Sequence, residues 1–223
     1  INELNQRRFS HIVLIELEKT ARAVSAYAST SIEGNPLPLT EVKKILKSQP
    51  AHIRTSEHEV LNYNNVLQYL DKKLKERKIT VSFDLILKIQ KQVTDGLIPS
   101  FESGKLRQKP VVVNDPQSRK VVYLPPDVQD VLHLIEELII FVHKNKEQID
   151  PLILAGIFHK QMVIIHPFMD GNGRATRLAT KVLLAEMGLN TFNLFSFENY
   201  YNQNVSNYFQ HVGVRGNYYD IKN

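Results

Sequence analysis

Residues 166–177 read HPFMDGNGRATR. One short stretch carries an imidazole, a carboxylate, two glycines around an asparagine, and two guanidinium groups three apart. These types suit phosphate chemistry. His166 can accept a proton from an attacking hydroxyl near neutral pH. Asp170 can bind Mg2+ through one carboxylate while ligand phosphates and water complete the shell. Gly171 and Gly173 permit a tight turn whose N–H groups converge on an anion. Arg174 and Arg177 would share one face of a helix beginning at that turn. Cations there oppose the helix dipole, and an anionic ligand would remove the conflict. The stretch is neither a Walker A loop nor G-x-G-x-x-G. Taken singly, each piece has a plainer reading: a helix-end or core histidine, an ordinary turn, an N-cap aspartate. Their co-occurrence points to a phosphate site.

The elements that must position this loop are mostly helices. Residues 3–28 carry Phe9, Ile12, Val13, Ile15, Leu17, Ala21 and Val24 at helical spacing, and TSIEGNPLP breaks the pattern. Thr40 looks like the cap of a short helix through Leu46. Residues 56–75 place Val60, Tyr63, Leu67, Leu70 and Leu74 on one side. Ser82 caps a helix through Val93 that ends near Gly96. Residues 110–124 hold two β-rich runs, VVV and VVYL, around the turn-forming NDPQSRK, which predicts a hairpin. Asp127 caps a helix through about His143. Asp150-Pro151 opens another, apolar nearly all round and therefore expected to be central. Pro167 ends it, because proline removes a donor and disfavours helix at the residue before it. A further helix runs from about Asn172 to Met187, and Ser196 starts the last one, through about Val212.

The chain has 223 residues, 43% hydrophobic and 23% charged, which bounds a soluble globular chain with room for a sizeable core. No domain boundary, repeat or low-complexity linker is visible. No apolar run approaches the ~18 residues of a membrane span. Cysteine is absent, so disulfides and thiolate metal sites are excluded, and a reducing, cytoplasmic setting fits. Lys and Arg number 28 against 23 Asp and Glu, a net +5. The basic residues are scattered, with KKLKERK at the end of a helical pattern, so solvated helix faces explain them and nucleic acid is not expected as a partner.

The loop resembles the signature of the Fic family, H-x-F-x-D/E-G-N-G-R-x-x-R. Every specified position matches: His166, Phe168, Asp170, Gly171, Asn172, Gly173, Arg174 and Arg177. The resemblance implies an all-α Fic fold, a helical bundle with a β-hairpin flap, in a single domain over 1–223. The N-terminal region would be 1–50 and the catalytic core 80–223. It implies transfer of AMP from ATP to a Ser, Thr or Tyr hydroxyl of a target protein, with release of pyrophosphate. His166 would be the general base and Phe168 an anchor under the loop. Asp170 would hold Mg2+, Gly171, Asn172 and Gly173 would form the anion nest, and Arg174 and Arg177 would hold the outer phosphates. The hairpin resembles the flap on which a target segment docks, with Val111, Val112 and Val113 on its first arm. The segment NYFQHVGVRGNYYDI resembles the lining of the adenosine pocket, with Asn217 as the candidate contact. Family members usually continue past this point, and Ile1 without a methionine suggests a trimmed start.

STSIEGN, residues 29–35, resembles the family's inhibitory motif S/T-x-x-x-E-G/N through Ser29, Glu33 and Gly34. The implied role is autoinhibition: Glu33 pairs with Arg177 and occupies the γ-phosphate place. An Arg–carboxylate pair can be bidentate and strong; a plain helix C-cap is the simpler reading of Glu-Gly. A homodimer is allowed. Two other readings stand beside this one. The first is a Fic-like enzyme that removes AMP or transfers UMP, phosphate or phosphocholine. The second is a nucleotide-sensing regulatory or DNA-binding protein.

Overall fold

The computed structural model describes residues 10–48, 52–76, 78–115, 118–189, 194 and 196–221. The first turns of the expected N-terminal helix, residues 3–9, and the middle of the expected hairpin turn, residues 116–117, lie outside them.

Helix α1 (His11–Ile32) starts at Ser10, whose side chain accepts from the Val13 N–H. It ends in a Schellman turn. Gly34, at φ 93°, sends its N–H to Ser31 O, and the Asn35 N–H reaches Thr30 O. Helices α2 (Leu39–Lys47), α3 (Thr55–Lys75) and α4 (Phe83–Val93) follow, the last capped by Ser82 as expected. The chain then forms strands β1 (Val113–Asn114) and β2 (Val121–Leu124). Helices α5 (Val128–Asn145), α6 (Pro151–Ile165) and α7 (Asn172–Glu186) make up the second half of the bundle. Helices α8 (Phe197–Gln203) and α9 (Val205–Val212), strand β3 (Gly216–Asn217) and the short α10 (Tyr218–Ile221) close the chain. The fold is all-α with a small β flap. Among the described residues, no helix is long and apolar enough to cross a membrane.

The centre of the bundle is α7. It packs against α6, α4, α3 and α1, and it is buried along most of its length although it carries Arg174, Arg177 and Lys181. Buried cations need partners. Lys181 Nζ lies 3.7 Å from Glu198 Oε1. Glu198 is itself fully buried and accepts from Ser25 Oγ at 3.0 Å and Tyr63 OH at 3.2 Å. One carboxylate thus ties α8 to α7, α1 and α3.

Four sequence expectations need correction. In α1 the large apolar residues Ile12, Val13, Ile15 and Leu17 are exposed, and the buried face consists of Ala21, Ala23, Ser25, Ala26, Ala28, Ser29 and Thr30, with Ile32 at its end. Small residues let the second half of α1 lie close to α3 and α8, and the apolar period before it does not mark the contact. Helix α6 is less central than α7, since Leu152 and Ile153 in its first turn are exposed. The last helix is two helices, broken at Asn204, whose N–H turns back to Tyr200 O and Tyr201 O. The flap's first arm is short: Val111 and Val112 precede β1, and only Val113 of that run pairs, opposite Tyr123. A third strand adds to the hairpin, β3 lying parallel to β2 with Tyr123 beside Gly216 and Leu124 beside Asn217. Tyr123 is buried and its hydroxyl donates to Ile164 O at 3.0 Å, which fastens the sheet to the last turn of α6.

Candidate functional site

The loop between α6 and α7 is built by its own side chains. His166 is the C-cap of α6 and sits in the left-handed region, at φ 49° and ψ 59°. Phe168 is fully buried beneath the loop. Asn172 accepts from the Phe168 N–H through Oδ1 at 2.9 Å and donates Nδ2–H to Phe168 O at 2.8 Å. Its side chain is therefore a staple across the turn, and only its backbone N–H is left for an anion nest. Gly171 has φ 80°, and a Cβ there would collide with Thr94. Only glycine satisfies both conditions. Gln90, buried on α4, donates to Asp170 O at 3.1 Å and accepts from the Gly104 N–H, so it holds the loop from below.

The imidazole of His166 has one nitrogen able to accept a proton. Its Nδ1 lies 3.4 Å from Val163 O. A carbonyl can only accept, so Nδ1 carries the proton and Nε2 keeps its lone pair. Burial, ahead of the opposing effects of the Val163 hydrogen bond and Glu33, lowers the pKa of His166. The ring is therefore neutral near pH 7.

Asp170 is half exposed on its side chain. Its Oδ1 accepts from the Gly171 N–H at 2.6 Å, and both carboxylate oxygens accept from Arg174 Nη2, at 3.2 and 3.1 Å. Among the described residues no group of three or more acidic, His or Cys side chains gathers as a metal cage. A single accessible carboxylate suits a cation that shares its remaining positions with ligand phosphates and water. Arg174 is buried, and among the described residues its Nε and Nη1 have no hydrogen-bond partner. Glu59 Oε1 lies 3.7 Å from that Nη1, and Asn35 Nδ2 donates to the other Glu59 oxygen at 2.7 Å. Buried donors without acceptors at the first turn of a helix are an anion site in waiting.

Arg177 is 1% exposed. Its Nε donates to Ser29 Oγ at 2.7 Å, and Nη2 donates to Ser29 O at 3.0 Å and Glu33 Oε1 at 2.6 Å. Burial opposes this cation; the Glu33 carboxylate and then Tyr208 outweigh it, and the net direction is upward. The Glu33 carboxylate also presses on Gly173, where any Cβ would strike Oε1. It thus lies between the first turn of α7 and Arg177, where an anion would bind. Behind the arginine, Nη1 donates to Tyr208 OH at 3.3 Å. Arginine only donates, so the Tyr208 hydroxyl accepts from it and donates its own hydrogen bond to His159 Nε2 at 3.0 Å, and His159 Nδ1 donates to Thr180 Oγ1 at 3.1 Å. Burial, then the charge of Arg177, lowers the pKa of His159 to about 3, which keeps it neutral in this chain of bonds.

Ser29, Glu33, His166, Asp170, the Gly171–Gly173 turn, Arg174 and Arg177 therefore converge. Gly34 serves them by ending α1 where Glu33 reaches Arg177. Asn217 contacts no residue of the loop by a hydrogen bond; its Oδ1 accepts from the Tyr219 N–H at 3.0 Å within its own turn. Gln90, Glu59, Asn35, His159 and Tyr208 also build the site, as does Arg107, whose Nε donates to His166 O at 2.9 Å. Local spacing carried no signal for them, because each is remote in sequence from the atom it holds.

Residues 80–184 match the model of the Fic/DOC family. The chain is 29% identical over 165 residues to the protein adenylyltransferase Fic of Nematostella vectensis, an alignment that covers 73% of this chain and 37% of that protein. It is 30% identical over 183 residues to the protein of the same name in Drosophila melanogaster, covering 80% of this chain and 35% of the relative. The chain thus spans little more than a third of these curated relatives. Among solved structures, a Fic family protein of Desulfovibrio desulfuricans G20 has a TM-score of 0.74 at 22% identity, over 88% of this chain and 57% of that one. Fic-1 of C. elegans has a TM-score of 0.72 at 24% identity, over 96% of this chain and 62% of its own. The two structures share the fold.

Proposed function

We propose that this chain, whose residues 80–184 match the Fic/DOC family, is an autoinhibited protein adenylyltransferase that moves AMP from ATP to a side-chain hydroxyl. Its relatives are named protein adenylyltransferases, and an activity of that type, with ATP and a protein as substrates, is the coarse expectation. The observation that carries the finer reading is the lone pair of His166 Nε2 beside an α7 N-terminus whose two arginines are engaged by carboxylates.

The target hydroxyl loses its proton to His166 Nε2 as its oxygen bonds to the α-phosphorus. The bond from that phosphorus to the bridging oxygen breaks, and pyrophosphate leaves. Arg174 and Arg177 bind the outer phosphates, and the free N–H groups at the start of α7 face the same charge. Asp170 would hold Mg2+, which when bound neutralises phosphate oxygens. Val113 on β1 lies in the flap that would take a target segment as an added strand. Asn217, on β3 beside Leu124, stays a candidate for the adenosine side.

The test is incubation of the wild type and Glu33→Gly with labelled ATP and a native lysate, with mass spectrometry of the products. A mass gain of AMP on Ser, Thr or Tyr supports the reading; a gain of UMP, phosphate or phosphocholine from the matching donor replaces it. Asp170→Ala is expected to lower Mg2+-dependent transfer by about 10²-fold, the scale of the several kcal/mol that such a cation contributes. Asp170→Asn keeps an acceptor for the Gly171 N–H and separates loss of charge from damage to the loop. Wild-type rates in both variants across a Mg2+ titration would remove the metal role.

A further inference from the structure

Arg107 lies in the segment between α4 and β1, outside every motif of the chain, and is 2% exposed. Among the described residues it has no carboxylate within ion-pair distance. Its partners are carbonyls. Nε donates to His166 O at 2.9 Å, Nη2 donates to Pro126 O, and Nη1 lies 3.5 Å from Lys109 O. Its own N–H donates to Pro167 O at 2.9 Å. Lys109 leads into the flap, Pro126 leads out of it, and His166 and Pro167 begin the signature loop.

A buried cation without a direct ion pair is costly and persists only where several acceptors surround it. Burial pushes the guanidinium below its ordinary pKa although the Asp127 carboxylate, beyond ion-pair distance, pulls the other way. The planar fork of arginine spreads its donors over separate nitrogens in fixed directions, whereas the donors of lysine sit on one atom. The left-handed backbone of His166 is also unfavourable for a residue with a Cβ and holds only when its surroundings over-determine it. Its N–H is taken by Met162 O and its carbonyl by Arg107.

We infer that Arg107 is a positioning residue for the transfer reaction: it holds the backbone of His166 in the left-handed conformation and keeps the imidazole in register with both ends of the flap. The inference rests on the proposed role of His166 as general base. The flap presents the hydroxyl and His166 takes its proton, so the two must be fixed relative to each other. A misplacement of about 1 Å costs on the order of 10²-fold in rate.

The experiment compares Arg107→Ala, Arg107→Gln and Arg107→Lys with their parent in a Glu33→Gly background, where transfer is measurable. Transfer is expected to fall by about 10²-fold while ATP affinity by calorimetry stays within about twofold, since Arg107 touches none of the phosphate-binding groups. Arg107→Lys, which keeps the charge and loses the fork, should not restore the rate. Hydrogen–deuterium exchange should quicken together in segments 107–112, 124–127 and 164–170, and stay unchanged in α1 and α3. Undiminished transfer in Arg107→Ala would overturn the inference. So would a parallel loss of rate and ATP affinity in all three variants, which is what a merely structural residue gives. If the parent transfers no nucleotide and the three segments still loosen together, the AMP-transfer reading falls and the positional coupling stands.

Discussion

His166→Ala should lower AMP transfer by about 10²–10⁴-fold, the usual contribution of a general base, and leave ATP affinity nearly unchanged. The substitution removes one ring and little else. The backbone N–H of residue 166 stays on Met162 O and its carbonyl stays on Arg107, so the loop keeps its path. The ring itself makes one hydrogen bond among the described residues, to Val163 O. Nothing in the phosphate clamp depends on it. The pH dependence has a definite sign. Burial, first, pushes the imidazole below its ordinary value, so Nε2 holds its lone pair at neutral pH and loses it only on acidification. Transfer should be flat around neutrality and decline below the ordinary histidine range of about 6.5. The measurement is the transfer rate of Glu33→Gly with and without His166→Ala at saturating ATP, repeated across pH. Equal rates in the two would take His166 out of the mechanism.

The parts of this site legible in the sequence are those whose chemistry is local. Pro167 stops α6 by removing a donor, Gly171 turns the chain at a φ of 80°, and Gly34 ends α1. Each acts within a few residues of itself, so spacing alone shows it. Glu33 and Arg177 are far apart in sequence and were joined only through a family motif. Arg107 and Gln90 belong to no motif, and nothing in the spacing marks the side chain of Asn172 as the staple of the loop. The fold shows the same division. Helix periods located the bundle, yet the buried face of α1 is made of small residues that carry little hydrophobic signal, and α7 is central despite its charges. What decides those cases is the partner across the interface: Glu198 for Lys181, and Glu33, Ser29 and Tyr208 for Arg177. A one-dimensional pattern does not contain it.

Glu33→Gly should raise transfer, visible first as self-modification, because one contact stands between the resting site and a seated triphosphate. Glu33 Oε1 takes Arg177 Nη2 at 2.6 Å and lies against Gly173, the place an outer phosphate would need. The arginine does not depend on Glu33 for its position. Ser29 holds Nε and Nη2, and Tyr208, fixed by His159, accepts from Nη1. Removing the carboxylate therefore clears the site and leaves the clamp preset. A charge-assisted hydrogen bond contributes about 1.5–3 kcal/mol, or roughly 10- to 150-fold in an equilibrium. The Glu33 side chain is 35% exposed, and solvent screening favours the lower half of that range. Glycine at position 33 next to Gly34 also loosens the end of α1, at a cost of up to about 1 kcal/mol. Glu33→Gln separates the two effects, since it keeps the helix end and removes the charge. Both variants should activate if the pair is the brake; Arg177→Ala should not, since it removes the clamp together with the brake's partner. If Glu33→Gly and Glu33→Gln match the wild type on every substrate, residues 29–34 are a helix end and the pair is structural. If they lose instead an activity that strips AMP from a modified protein, Glu33 is the residue that does that chemistry, and AMP removal replaces AMP addition as the function of the site.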